Sequence, residues 1–223
     1  MHPMIDVHTH TPRGCAIELR AVQTPSEAEG FCSVGVHPWR VGELNDAQVA
    51  EELAMVAQAE IAAVGECGMD ALQGGTLERQ REVFAAQVKI AEQRELPLIV
   101  HSVRRFEECM AVLKGHSLAG VVFHSWVGSA EQAARAISRG YILSAGPRSL
   151  VSSRTVEVLR TLPEESLLIE TDDSDITIET IYEQLAELRG TTTAQLRTTI
   201  YRNFTRIWPS GWNAPSCCSE PRN

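Results

Sequence analysis

The chain has 223 residues, and its 20 Lys and Arg against 29 Asp and Glu give a formal net charge of −9. Hydrophobic residues make up 43% and charged residues 22%, the composition of a globular protein with a sizeable core. No stretch approaches the roughly 18 consecutive apolar residues of a membrane-spanning helix, so we expect none. The acidic charge argues against a duplex-DNA binder with a broad basic face, although a nuclease whose bound metal ions carry the positive charge is compatible with it.

The first strand-like segment begins at Met4, which leaves no room for a secretory signal and predicts a cytoplasmic protein. The six cysteines have neither the spacing of a disulfide framework nor that of a CxxC metal site. Cys67, beside Glu66, is interpreted as a small apolar residue rather than a nucleophile. The adjacent Cys217 and Cys218 are expected to be reduced.

Short apolar runs alternate with helical patterns along the chain. Strands are predicted at Ile5–His8, Ala16–Val22, Cys32–Val36, Ile61–Gly65, Pro97–Val100, Gly120–Phe123, Tyr141–Ser144 and Leu167–Ile169. Helices are predicted at 46–59, 76–94, 104–114, 129–139, 152–161, 177–189 and 193–207. Most apolar runs are continuous, as expected for parallel strands covered on both faces. Only about ten residues join the second and third strands, too few for a full crossover helix.

Eight strands with intervening helices predict an α/β fold, specifically a (β/α)8 barrel of the TIM type. Because the chain is short for that architecture, we expect a compact and distorted barrel. One domain is predicted at residues 1–208. The final segment, 209–223, is rich in Pro, Ser and Gly and is predicted to be a tail.

The first strand ends in an HxH pair, His8 and His10. Alternate residues of a strand share a face, so both imidazoles can point into the barrel mouth and bind one ion. The pair alone is weak evidence for a metal, since two histidines with ordinary hydrogen-bond partners fit the same pattern.

Further side chains able to bind metal stand where other strands give way to polar loops. With the HxH pair they form a set of six from five strands: His8, His10, Glu66, His101, His124 and Asp172. In a parallel barrel these strand ends share the rim where active sites are built, so the set predicts a metal site at the C-terminal rim. Taken singly, Glu66 could be an ion-pair partner in the core and Asp172 a helix cap.

These residues stand in longer motifs that cover nearly the whole chain. The motifs are Ile5-Asp-Val-His-Thr-His10, Gly35-Val-His-Pro38, Gly65-Glu-Cys-Gly-Met-Asp70, Gln80…Phe84…Gln87…Ala91, Leu96-Pro-Leu-Ile-Val-His101-Ser, His124-Ser-Trp-Val-Gly-Ser129 and Glu170-Thr-Asp172. With them the chain resembles the TatD-type metal-dependent hydrolases, a deoxyribonuclease family of the amidohydrolase superfamily. The resemblance implies a distorted (β/α)8 barrel that holds two divalent ions, zinc, magnesium or manganese.

The resemblance also implies how the ions are held. One ion would be bound by His8, His10, Glu66 and Asp172, and Glu66 would bridge to a second ion bound by His101 and His124. A pair of ions suits phosphodiester hydrolysis, because it activates water and stabilises charge on the attacking and leaving oxygens. Asp172 is then the expected general base, and Glu66 and Asp172 are the expected catalytic residues.

The chain departs from the family pattern at three places. Val103 interrupts the common His-Ser-Arg triplet, and Asp172-Asp173-Ser174 lacks the usual following proline. The Asn-Glu-Pro segment beyond the last strand is missing. The resemblance is therefore to a shorter branch of the family, and it implies the metal site but not the substrate.

Five further residues are candidates for substrate contacts, and each has a second interpretation. His37 could contact a substrate phosphate, or it could support Glu66 or Asp172 through a hydrogen bond. Arg104 and Arg105 are candidate phosphate clamps, with at least one expected on the exposed first turn of the next helix. Trp126 could stack on a base or simply cover the site. Arg148, at the rim, could bind phosphate or pair with a carboxylate.

The leading hypothesis is a metal-dependent phosphodiesterase, a DNase-like enzyme that acts on nucleic-acid ends or single strands. The alternative enzyme is a small-molecule hydrolase that cleaves a phosphoester, ester or amide at the same site, since one barrel rim hosts many chemistries. A non-catalytic binding module is disfavoured, because every expected ligand position is retained. DNA, an oligonucleotide or a small molecule is the expected partner. We infer neither membrane association nor an obligate protein partner.

Overall fold

The computed structural model describes residues 2–209. Within them, eight parallel strands form one sheet in sequential order. The strands are β1 (Ile5–Thr9), β2 (Ile17–Val22), β3 (Cys32–Val34), β4 (Ala63–Asp70), β5 (Leu98–Val103), β6 (Val121–Phe123), β7 (Ile142–Ala145) and β8 (Leu167–Ile169). The predicted tail, apart from Pro209, lies outside the described residues, as do Cys217 and Cys218.

The sheet closes where β1 meets the chain just beyond β8. The Asp172 N–H donates to the His8 carbonyl at 2.9 Å, and the His10 N–H donates to the Asp172 carbonyl at 3.1 Å. The buried Asp6 side chain strengthens this seam by accepting hydrogen bonds from the N–H and hydroxyl of Thr171, at 3.0 and 2.6 Å. The expected (β/α)8 barrel is therefore confirmed.

The helices surround the sheet, and most coincide with predicted ones. They are α1 (Pro38–Val41), α2 (Asp46–Gln58), α3 (Leu77–Gln93), α4 (Phe106–Val112), α5 (Ala130–Ile137), α6 (Pro147–Val151), α7 (Ser153–Thr161), α8 (Ile178–Leu188) and α9 (Thr193–Ile207). Between β2 and β3 only the 3-10 turn Pro25–Glu27 forms, as the short spacing predicts. Helices α1 and α6 are not predicted, because helices of four and five residues are too short to show a hydrophobic period.

Three strand boundaries differ from the sequence prediction in a way that changes the site. β4 runs on to Asp70 and β5 to Val103, so Glu66 and His101 lie inside their strands rather than at the ends. β3 stops at Val34, so His37 caps α1 instead of ending a strand. The Gly-rich segment after Val64 suggests a loop from sequence alone. In the structure its glycines let β4 approach β5 closely.

Gly68 shows this approach directly. Its φ is +145°, and a Cβ built on it would lie 2.0 Å from the His101 carbonyl oxygen. Only a residue without a side chain allows the two strands to pair there. The close approach carries Glu66 and His101 to neighbouring positions in the barrel mouth.

Two buried glutamines of α3 satisfy backbone groups at the rim that the sheet leaves unpaired. Gln80 accepts a hydrogen bond from the Asp70 N–H at 2.7 Å and donates to its carbonyl at 3.1 Å. Gln87 does the same for Val36, at 2.7 and 3.1 Å. Buried backbone groups need such partners, so these side chains fix the segments beyond β3 and β4.

Among the described residues, no helix is both long enough and apolar enough to cross a membrane. The cytoplasmic location remains a prediction.

We predict that Gly68→Ala lowers the free energy of unfolding by more than about 2 kcal/mol, because the methyl group collides with backbone. Gly115→Ala is the matched control, since its φ is +88° but nothing lies within 4 Å of the added Cβ. Gly115→Ala should lower the free energy of unfolding by only about 1 kcal/mol, because alanine disfavours the left-handed backbone conformation. Urea denaturation measures both, and equal losses would contradict the close approach.

Candidate metal centre

The six predicted metal ligands come together at the C-terminal mouth of the barrel, around the carboxylate of Glu66. On one side, Glu66 Oε2 lies 3.4 Å from His8 Nε2 and 3.2 Å from His10 Nε2. Asp172 Oδ1 lies 3.7 and 3.6 Å from the same two nitrogens. This first group combines two imidazoles and two carboxylates.

The other oxygen of Glu66 faces a second group. Glu66 Oε1 lies 2.7 Å from His124 Nε2 and 3.2 Å from His101 Nδ1. Because each carboxylate oxygen faces a different set of imidazoles, the side chain stands between two groups of potential ligands.

These side chains fit divalent metal. The nitrogen and oxygen atoms of several three-residue sets lie within 4.8 Å of one another, among them His8, His10 and Asp172, and His8, Glu66 and His124. His8 is fully buried, yet neither ring nitrogen has a hydrogen-bond partner among the described residues. Buried polar atoms normally have one, so the imidazole is available to a cation. Imidazole with carboxylate is a donor set that suits several divalent ions.

Electrostatics keep Glu66 in the ionised form. Burial by itself raises its pKa, but the neighbouring His124 and His8, with hydrogen bonds from His10 and His101, outweigh burial and hold the pKa well below its ordinary value. Burial lowers the pKa of His124, and the Glu66 and Glu170 carboxylates reverse this and raise it well above the ordinary value. The Glu66 carboxylate is therefore ionised.

Asp70 orients His101, a role that sequence reasoning missed. His101 Nε2 donates to Asp70 Oδ2 at 3.1 Å, which leaves Nδ1 facing Glu66. A carboxylate on the far nitrogen is the usual way that a metal-binding histidine is held. The missed signal is spacing: Glu66 and Asp70 are four residues apart, so in a strand they share a face.

Glu170 stands behind the ring of His124 and was also missed. Its carboxylate is fully buried, with Oε1 at 3.4 Å from His124 Nδ1, and it accepts a hydrogen bond from the Ser125 N–H at 2.6 Å. Thus His101 and His124 each have a second carboxylate behind the ring.

His37 lies against the centre rather than apart from it. Its Nε2 is 3.4 Å from Glu66 Oε1, and its Nδ1 accepts a hydrogen bond from the Trp39 N–H at 3.2 Å. Burial lowers the pKa of His37, so the ring is neutral and carries its proton on Nε2. His37 also lines the cavity above the centre, so this position is compatible with support of Glu66 and with a substrate contact, and both interpretations stay open.

A cavity of about 750 Å³ opens above these residues. Arg104 and Arg148 line it, as does Arg154 of α7, which sequence reasoning did not single out. Arg148 lies 3.4 Å from Asp173 and 3.9 Å from Asp172, and 57% of its side chain is exposed. Arg154 could not be found from the sequence, because it follows β7 by nine residues and lies on a helix rather than at a strand end.

Two of the candidates, Arg105 and Trp126, are not placed to make the substrate contacts considered for them. Arg105 is absent from the cavity lining and pairs with Glu108 at 2.9 Å on the first turn of α4. Trp126 lines the cavity but is only 4% exposed, because it packs on Phe106 and Phe123 with ring centroids at 5.5 and 6.2 Å. Its ring covers the site and leaves no free face for a base.

Comparison with known proteins agrees with this geometry. The family model described as TatD related DNase matches residues 4–209. The uncharacterized metal-dependent hydrolase YjjV of Escherichia coli K12 is 35% identical over 157 residues, which cover 66% of this chain and 59% of YjjV. The 3'-5' ssDNA/RNA exonuclease TatD of Shigella flexneri is 31% identical over 148 residues, 64% of this chain and 57% of that protein. Both alignments span less than two thirds of the relative.

The fold is shared over a longer stretch. The crystal structure of YjjV from Escherichia coli K12 superposes with a TM-score of 0.79 and 25% identity, over 92% of this chain and 97% of that one. The extent of the family match, together with the shared barrel and the clustered histidines and carboxylates at its mouth, shows that the chain belongs to the TatD related DNase family.

Proposed function

We propose that this protein is a divalent-metal-dependent phosphodiesterase that acts on nucleic-acid ends or single strands. The observation that carries the proposal is the position of Glu66, whose Oε2 faces His8 and His10 while its Oε1 faces His101, His124 and His37. The Shigella relative, described as a 3'-5' ssDNA/RNA exonuclease, supports the choice of nucleic acid.

In this proposal Glu66 would contribute to two positions for divalent ions, zinc, magnesium or manganese. His8, His10 and Asp172 would hold one ion with it, and His101 and His124 the other. When bound, such ions supply positive charge for the phosphoryl oxygens and make water a better nucleophile near neutral pH. The protein contributes the fixed geometry, since Asp70 and Glu170 hold the two histidines of the second position.

Asp172 is the proposed general base. Its carboxylate is 8% exposed, borders the cavity, and is within 4 Å of both His10 and Arg148. It can accept the proton of a water that attacks a phosphoryl group above Glu66. Arg148 Nε lies 3.9 Å from the second carboxylate oxygen, beyond hydrogen-bond distance, so that oxygen is not tied to the guanidinium group.

Phosphate groups next to the scissile one would meet the guanidinium groups of the cavity. Among the described residues that line it, the Lys and Arg side chains are Arg104, Arg148 and Arg154. All three are exposed, and a guanidinium matches phosphate geometry. Because the chain as a whole has a charge of −9, contact is expected with only a few phosphates.

The alternative is a small-molecule ester, phosphoester or amide hydrolase at the same site. The size of the cavity favours it, since about 750 Å³ holds one small ligand. The experiment that decides is a metal-supplemented assay of single-stranded oligonucleotides against chromogenic phosphodiesters and simple esters.

We predict that Asp172→Asn lowers kcat by about 10²-fold or more, because the amide keeps an oxygen but cannot accept the proton. Bound metal, measured by elemental analysis, should be partly retained. Asp173→Asn is the matched control, since it removes the same charge one residue away and should change kcat only a few-fold. Normal turnover by metal-loaded Asp172→Asn would require a different base.

We predict that Glu66→Ala lowers metal affinity by more than the roughly 10–100-fold that is typical when a hydrogen-bond partner of a metal ligand is lost, because the shared carboxylate itself is gone. The metal content of the protein should fall accordingly. Elemental analysis of purified protein measures this. Glu108→Ala, which removes a carboxylate that pairs with Arg105 outside the cavity, should leave the metal content unchanged. Full metal content in Glu66→Ala would contradict the shared position.

We predict that Arg148→Ala raises KM for an oligonucleotide by about tenfold and for a minimal phosphodiester much less, because only the oligonucleotide has a neighbouring phosphate. Arg160→Ala is the control, since that side chain is equally exposed but pairs with Glu157 away from the cavity. Oligonucleotide binding should weaken only shallowly with salt. Equal effects on both substrates would favour the small-molecule alternative.

A further inference from the structure

Trp39 is a large apolar side chain that remains open to solvent on the wall of the cavity. It is 41% exposed and belongs to the cavity lining. The other tryptophan of the lining, Trp126, is 4% exposed and already packed between phenylalanines. Of these two rings, only Trp39 has area left for a ligand.

The Trp39 ring is held rigidly beside the candidate metal centre. Its Nε1–H donates to Asp70 Oδ2 at 2.7 Å, the oxygen that also accepts from His101. Its ring stands nearly perpendicular to those of His37 and His101, with centroids at 4.9 and 6.0 Å. A ligand seated on Trp39 is therefore next to the side chains that face Glu66.

Leu72 extends the same apolar wall. It is 61% exposed, lines the cavity, and its N–H donates to the other oxygen of Asp70 at 2.7 Å. One buried carboxylate thus fixes both an aromatic and an aliphatic surface. Such surface is costly to leave in water unless something covers it.

The guanidinium groups of Arg148 and Arg154 stand on the opposite side of the mouth. Trp39 follows β3, whereas these arginines follow β7, and in a closed sheet of eight strands in sequential order those two strands face each other. Glu66, on β4, lies between the two walls. The cavity therefore offers an aromatic surface on one side, cations on the other and the reactive centre between them.

A nucleotide matches this arrangement, because it joins a flat aromatic base to an anionic phosphate. Resting on the proposed nuclease function, we propose that Trp39 is the stacking surface for the base beside the scissile phosphate, so that the site selects an unpaired nucleotide. In a duplex that base is stacked and paired, and its face is closed to the ring. Stacking on an aromatic side chain tolerates all four bases, so selection is for an unpaired strand rather than for sequence.

The test compares Trp39→Phe with Trp39→Leu. Both variants lose the hydrogen bond to Asp70, so any effect transmitted through Asp70 to His101 is the same in both. Only Trp39→Phe keeps an aromatic face. The substrates are a 5'-phosphorylated thymidine dinucleotide and the same dinucleotide with one or the other base removed. KM, kcat and metal content are measured for each protein.

For the wild type, removal of one particular base should raise KM at least about fivefold. Trp39→Phe should keep most of this base preference, and Trp39→Leu should reduce it to less than about twofold. The two variants should share the same metal content and the same kcat. A base preference that is equal in all three proteins, or lost equally in both variants, overturns the stacking role.

Failure of the proposed function gives a different result. If the metal-loaded wild type cleaves simple esters but neither the dinucleotide nor a longer single strand, the phosphodiesterase proposal falls and the stacking role with it. A binding measurement on the unmodified protein does not depend on how the variants fold. Tryptophan fluorescence should be quenched by a phosphorothioate dinucleotide, and much less by its abasic form. Equal quenching by both would also overturn the proposal.

Discussion

The barrel mouth is organised around one buried carboxylate. Glu66 is 9% exposed, and ring nitrogens of five histidines lie within 3.4 Å of its oxygens. An isolated carboxylate in such a position would be strongly unfavourable, so its neighbours must supply compensating charge or hydrogen bonds. The five imidazoles lie on β1 and β5 or just beyond β1, β3 and β6, and closure of the sheet brings them together. The sheet therefore has to close before the site exists.

Charge is arranged in concentric zones around Glu66. Imidazoles surround it, and Asp70, Glu170 and Asp172 stand behind or beside them. The arginines lie farther out, on the cavity walls. A chain with a charge of −9 thus has local cations at its cavity, while its surface as a whole gives little non-specific attraction to nucleic acid.

Much of the architecture follows from sequence pattern, because parallel strands buried on both faces are continuous apolar runs and their ends share a rim. The HxH pair could be assigned to one face by the two-residue period of a strand. The sequence analysis did not identify Asp70 and Glu170. Their roles depend on which histidine ring each one stands behind, and contacts between neighbouring strands decide that. The extension of β4 was not predicted, because glycines such as Gly65 and Gly68 are typical of loops. Here they allow β4 to pair closely with β5.

The tryptophans and arginines show a further limit of sequence reasoning. Sequence reasoning singled out Trp126 and passed over Trp39, yet Phe106 and Phe123 cover Trp126 whereas Trp39 is 41% exposed. Arg104 and Arg105 are adjacent, yet one lines the cavity while the other pairs with Glu108. Exposure of a side chain is a tertiary property, so a local motif does not specify it.

The central claim is that Glu66 is shared between two metal positions. Anomalous diffraction from crystals equilibrated with Mn²⁺ tests it most directly. The account predicts two peaks, one beside each carboxylate oxygen of Glu66, roughly 3.5–4 Å apart. One peak lies against His8 and His10, and the other against His101 and His124. A single peak at saturating Mn²⁺, or two peaks that do not flank Glu66, would contradict it.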